Sequence, residues 1–144
     1  MDVYRHVMSE DEKKKILLLR DKMNNQCLHS ALESFSESRE TANLPGVYEI
    51  NHHGKIIYIG GNPHQSNIRD SLNAHFSGND GLPIGAWLSG PAKDHWKAIK
   101  VRWMTCSRPH EVVFYLLQDY YIKYGTLPRF NKPPTSKQQQ QDLD

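Results

Sequence analysis

Between Pro45 and Gly60 the chain reads PGVYEINHHGKIIYIG, two short apolar runs separated by His52-His53-Gly54-Lys55. A glycine in that place supplies the positive φ of a tight turn, so the stretch predicts a β-hairpin. In the first arm Val47, Glu49 and Asn51 alternate with Tyr48 and Ile50; in the second, Ile56 and Tyr58 alternate with Ile57 and Ile59. Each arm therefore has two distinct faces. Tyr48, near the start of one arm, and Tyr58, near the end of the other, are placed to meet on a shared face. This hairpin limits the fold: whatever else forms must pack on its two sides.

The 144 residues suffice for one domain with an appendage and a real core. With 38% apolar and 24% charged residues, the composition is that of a globular chain, and no run approaches the ~18 apolar residues of a spanning helix. The opening MDVYRHVMSEDEKKK has mixed charge and no apolar h-region, so the expectation is an intracellular protein, cytoplasmic or nuclear, with no membrane partner. Cys27 and Cys106 form no CxxC and read as two reduced thiols, which argues against a structural zinc site. Residues 1–40 hold seven Lys/Arg against eight Asp/Glu, whereas residues 41–134 hold ten against six, plus six histidines. The basic excess thus follows the hairpin half of the chain, and it is compatible with a phosphate-bearing partner without demonstrating one.

Ser9-Glu10-Asp11-Glu12 is a capping-box pattern, and a helix is predicted from there with Ile16, Leu17, Leu19, Arg20 and Met23 along one stripe. A second helical segment is expected from about Cys27 to Ser36, presenting Leu28, Leu32 and Phe35. After the hairpin, Asn67 to Phe76 reads as a helix with Ile68, Leu72 and Phe76 buried, and Ser71 and His75 on the adjacent stripe. Residues 77–92 are rich in Gly and Pro and predict a loop or short helix. Trp96 to Met104 predicts a third strand, and Pro109 opens a last long helix ending near Tyr124 at Gly125. The expected architecture is α+β: a small, mostly antiparallel three-stranded sheet flanked by helices, residues 44–131. A helical N-terminal extension, 1–43, precedes it. A polar tail, 132–144, lacks the apolar residues to pack and is expected to be disordered.

Gly46-Val47-Tyr48 and Tyr58-Ile59-Gly60 resemble the two triplets of the GIY-YIG nuclease family, and Leu127-Pro128-Arg129-Phe130-Asn131 is similar to the family's closing Pro-x-aromatic-Asn. The resemblance covers residues 45 to about 131. It implies metal-assisted hydrolysis of a DNA phosphodiester. Tyr48 would be the general base, Tyr58 its companion, and His75 a second proton-transfer or phosphate-contact group; Gly46, Gly60 and Asn131 would brace the site. It also implies one divalent cation, Mg²⁺ or Mn²⁺, DNA or another nucleic acid as partner, and no nucleotide cofactor.

Two positions depart from that pattern. Ser71 stands where the family's arginine belongs, and Arg69, two residues earlier, lies about 200° round the helix; it could serve only by curling back from the first turn. Counting back from Asn131 puts Asp119 at the metal-ligand position, while a shift of one residue puts Gln118 there. Three functional classes stay open: a nuclease with an atypical site, a degenerate domain that binds DNA or protein without cutting, and an adaptor that contacts a protein partner through residues 9–37.

Overall fold

The computed structural model describes residues 8–32, 44–61 and 67–132; all of the expected tail but Lys132 lies outside them. Helix α1 (Glu10–Asn24) begins with the expected capping box: Ser9 Oγ accepts from Glu12 N at 3.1 Å, and Ser9 N donates to Glu12 Oε1 at 3.1 Å. Strand β1 (His29–Ser30) follows, then the hairpin of β2 (Gly46–His52) and β3 (Lys55–Gly61). Its two-residue turn has φ of 52° at His53 and 79° at Gly54, the pair of positive values that matches the strands' twist. Helix α2 (Ile68–Ser77) is capped by Asn67 and ends at Gly78 with φ 79°. Helix α3 (Pro83–Ser89), a 3₁₀ turn (Lys93–Ala98), strand β4 (Ile99–Thr105) and helix α4 (Pro109–Tyr124) complete the order.

The fold is α+β; among the described residues four antiparallel strands run in the order β1-β4-β2-β3, one more than expected. The additional strand corrects the helix expected from Cys27 to Ser36: His29 pairs with Val101 and Ser30 with Lys100, while residues 33–36 lie outside the described set. Helical spacing of Leu28 and Leu32 loses here to tertiary demand. The open edge of β4 needs hydrogen-bond partners, and the His29 ring stacks on Trp103 at 4.2 Å. Leu28 and Leu32 are left exposed. The predicted third strand also starts later than expected, at Ile99, because Trp96 is taken up in the 3₁₀ turn.

Two layers of helix cover the sheet. On one face Tyr48, Ile50, Val101 and Trp103 pack against Ile68, Leu72 and Phe76 of α2 and Ile84 and Leu88 of α3. On the other, Val47, Ile59 and Met104 pack against Met23 of α1 and Val112, Leu116 and Leu117 of α4. A bulge between Ile50 and Asn51 in the β2–β3 register leaves Ile57 without a partner and turns it to the Tyr48 side. Strict alternation assigns it to the other side. Strand β1 and helix α1, both from the N-terminal extension, join this one sheet and its cover.

Candidate functional site

Tyr48 lies across the sheet from Gly60, its register partner on β3. A Cβ at Gly60 would sit 2.6 Å from the Tyr48 hydroxyl oxygen, so the glycine of the second triplet is the space the first triplet's tyrosine occupies. Gly46 answers a similar need, since a Cβ there would collide with Ile68 Cδ1 and the Met104 carbonyl. The ring of Tyr58 is 6.3 Å from that of Tyr48, as the two-faced hairpin predicts.

Helix α2 supplies the next groups. Ser71 and His75 are one turn apart and both reach Tyr48: the Ser71 hydroxyl hydrogen-bonds the phenol, and His75 Nε2 lies 2.5 Å from its oxygen. The imidazole also meets Tyr58 edge-to-face at 5.2 Å. Its Nδ1 is 2.6 Å from Oδ2 of Asp80, in the turn between α2 and α3. Asp80 is itself held: Oδ1 accepts from Leu82 N at 2.9 Å, an Asx turn that opens α3. Gly85 leaves the room that carboxylate fills. Because an aspartate here accepts, His75 donates from Nδ1 and presents Nε2 as an acceptor, to which the Tyr48 hydroxyl donates. The chain of hydrogen bonds therefore runs Tyr48 to His75 to Asp80, all within one helix, one strand and one turn.

The electrostatics follow from burial. Tyr48 is 3% exposed and His75 4%. Desolvation pushes the Tyr48 phenol well above its ordinary value, and the neighbouring Tyr58 adds to that, against the Ser71 hydrogen bond. Tyr58 is pushed up to about 12, chiefly by burial and then by the Asp80 charge. Burial lowers the His75 pKa, and the Asp80 hydrogen bond and charge oppose it. At neutral pH the phenols keep their protons and His75 is a neutral acceptor.

Asn131 binds the hairpin's outer edge. Its Oδ1 accepts from Ile59 N and its Nδ2 donates to Ile59 O, each at 2.9 Å, which satisfies edge-strand groups within the second triplet. Arg69 is in the first turn of α2, about 200° round the helix from Ser71, the side chain that reaches Tyr48.

Asp119 does not join this cluster. Its Oδ2 is 3.3 Å from Arg20 Nε and 3.0 Å from Lys123 Nζ, and Arg20 in turn binds Glu49 at 2.9 Å. Glu49 follows Tyr48 along β2, so its side chain is on the opposite face. The structure thus brings Tyr48, Tyr58 and His75 together, with Ser71 at the expected arginine position, and leaves Asp119 behind the sheet. Gln118, the alternative ligand, is fully buried. Among the described residues no group of three His, Cys, Asp or Glu side chains is arranged to hold a metal.

No family model and no curated protein matches the sequence. Among solved structures, the chain is similar to the magnesium-bound GIY-YIG N-terminal endonuclease domain of UvrC from Thermotoga maritima. The identity is 21%, over 87% of this chain and 100% of that one, with a TM-score of 0.42. A point mutant of the same domain, bound to its catalytic divalent cation, matches at 20% identity and the same TM-score, over 87% of this chain and 99% of that one. The likeness is to a GIY-YIG domain.

The residue that sequence reasoning missed is Asp80. It lies in the Gly- and Pro-rich stretch expected to form a loop or short helix, and its local signal is the Asp80-Gly81-Leu82-Pro83 order, an Asx turn ahead of a proline at the first helical position.

Proposed function

We propose that this chain is a nucleic-acid phosphodiesterase of the GIY-YIG type that works from Tyr48. The observation that carries the reading is the hydrogen-bonded chain Tyr48–His75–Asp80. As a water attacks phosphorus, its proton passes to the Tyr48 oxygen while the tyrosine's own proton passes to His75 Nε2. Asp80 holds the imidazole in the accepting tautomer and stabilises the imidazolium that forms. The phenol need not ionise in advance, which suits a group whose pKa burial has raised. The single Ser71 hydroxyl proton is given to the Tyr48 phenol, so the phosphate oxygens lack there the charged donor that a guanidinium would supply.

A divalent cation, Mg²⁺ or Mn²⁺, would act as a Lewis acid on the leaving oxygen. In this chain the expected ligand, Asp119, shares one oxygen between Arg20 and Lys123, so a cation would have to displace them. The residues around Asp119 do not suit a hard cation, and no step above runs through one.

A second reading, a domain that binds nucleic acid or protein without cutting, draws on the low exposure of Tyr48 and His75, which a phosphate would have to reach. An adaptor role for residues 9–37 draws on Leu17 and Leu18, 63% and 69% exposed on α1. Conversion of supercoiled to nicked plasmid by wild type and Tyr48→Phe separates these readings. Nicking that the substitution abolishes supports the enzyme; no nicking with retained binding supports the module.

A further inference from the structure

Behind the sheet, on the side away from Tyr48, a cavity of about 610 Å³ opens between α1, α4, β4 and the hairpin turn. Four cations line it, Arg20, Lys55, Arg102 and Lys123. Two carboxylates answer them: Glu49 binds Arg20 at 2.9 Å and Arg102 at 2.8 Å, and Asp119 binds Arg20 and Lys123. Asn24 Oδ1 accepts from both guanidinium groups, at 3.3 Å and 3.0 Å. The arginines are thereby fixed in position, and the pocket retains an excess of positive charge carried by Lys55 on the hairpin turn and by Lys123.

Asn51 gives this charge a direction. Its side chain is on the Glu49 face of β2, lines the cavity, and is 8% exposed, yet among the described residues its Nδ2 donor has no hydrogen-bond partner. A buried amide N–H without an acceptor is costly, and a turn of the amide toward the cavity would let an acceptor bound there satisfy it. Tyr124, 65% exposed and 4.5 Å from the Tyr120 ring, stands at the same opening and offers a flat aromatic surface.

We propose that this cavity binds a phosphate ester, with the phosphoryl oxygens accepting from Asn51 Nδ2 and paired with Lys55 and Lys123. The Tyr124 ring is available to a base attached to it. Fixed guanidinium groups, a buried amide donor and two lysines at the rim together form an anion site, and the volume is that of a small-ligand pocket. The phosphate can come from a free nucleotide or from a nucleic-acid strand passing behind the sheet. Either way the site is separate from the tyrosine face, and the proposal stands without cleavage there.

Calorimetric titration of the full chain at low salt with inorganic pyrophosphate, AMP and a short single-stranded oligodeoxynucleotide tests it. The expected result is binding of at least one probe that weakens about tenfold in Lys55→Gln/Lys123→Gln and also weakens in Asn51→Asp, which puts a negative charge in place of the donor. Sensitivity to the substitutions in pyrophosphate or AMP binding identifies a free nucleotide-class ligand; sensitivity in the oligonucleotide alone identifies strand phosphates. If no probe binds, or if binding is indifferent to the substitutions, the proposal is overturned. The two lysines are on the surface, so that variant keeps the test valid should Asn51→Asp fail to fold.

Discussion

The Tyr48 hydroxyl donates to His75 across 2.5 Å, from the first strand of the hairpin to the last turn of the helix that follows it. What aims His75 is Asp80, and the aim is electrostatic as well as geometric: its carboxylate raises the imidazole pKa against the lowering effect of burial. Asp80→Asn keeps the shape and removes the charge. The His75 pKa in that variant is expected to fall further below its ordinary value, and the wild-type protein to hold the Nδ1–H tautomer. Nitrogen-15 NMR titration of the imidazole reads both. An unchanged pKa would show that the Asp80 charge does not act on the ring.

Stability should respond to acid through the same residue. Burial gives His75 a lower pKa in the folded state than the ~6.5 of an unfolded chain, so between the two values the unfolded state binds more protons. The contribution is complete above the unfolded value and is lost as pH falls from about 6.5 toward the folded pKa. Melting temperatures measured from pH 7.5 down to pH 5.5 should decline for wild type and decline less for His75→Gln, measured against each protein's own value at pH 7.5. Parallel curves would remove His75 from the acid response. His52, also lowered by burial, acts in the same direction and remains in both proteins.

Arg20 ties the N-terminal extension to the sheet. It is 7% exposed and serves two carboxylates, Glu49 and Asp119. Replacing one partner of a buried charge network strands the others, so Arg20→Met should destabilise the fold by about 3 kcal/mol. Chemical denaturation measures this. A loss below ~1 kcal/mol would mean that Arg102 and Lys123 suffice, and would return α1 to the role of a removable, partner-seeking segment.

How much of this was legible in the sequence depended on how local the cause was. The hairpin, the Ser9 cap, helices α2 and α4 and the meeting of Tyr48 with Tyr58 follow from alternation, capping and glycine placement, and all are present. Strand β1 was not legible, because two residues acquire strand pairing only once β4 exists beside them. Arg20 sat correctly on the apolar stripe of α1, but its partners are 29 and 99 positions away in the chain. Periodicity has no access to such distances. Asp119 was placed by counting to Asn131, a rule that fixes a position along α4 without fixing which side of the sheet α4 covers.

Asp119 sets the prospects for a cation. With Lys123 and Arg20 on its carboxylate, it should bind Mg²⁺ only weakly in wild type, more strongly in Lys123→Gln, and not at all in Asp119→Ala. Calorimetric titration with MgCl₂ distinguishes the three. Equal heats from wild type and Asp119→Ala would place any cation elsewhere.

The central claim, that Tyr48 and its helix-borne partners form a phosphodiester-cleaving centre short of one cation, is tested most directly by plasmid nicking in Mg²⁺. The comparison is between wild type, Tyr48→Phe and Ser71→Arg. Ser71 already touches the Tyr48 phenol, so an arginine there would project onto the tyrosine face, where a charged donor in phosphoryl transfer is worth ~10³-fold or more in rate. The account predicts that Ser71→Arg nicks faster than wild type and that Tyr48→Phe does not nick. Wild-type nicking that survives Tyr48→Phe, or a folded Ser71→Arg protein that binds DNA and leaves it intact, would contradict it.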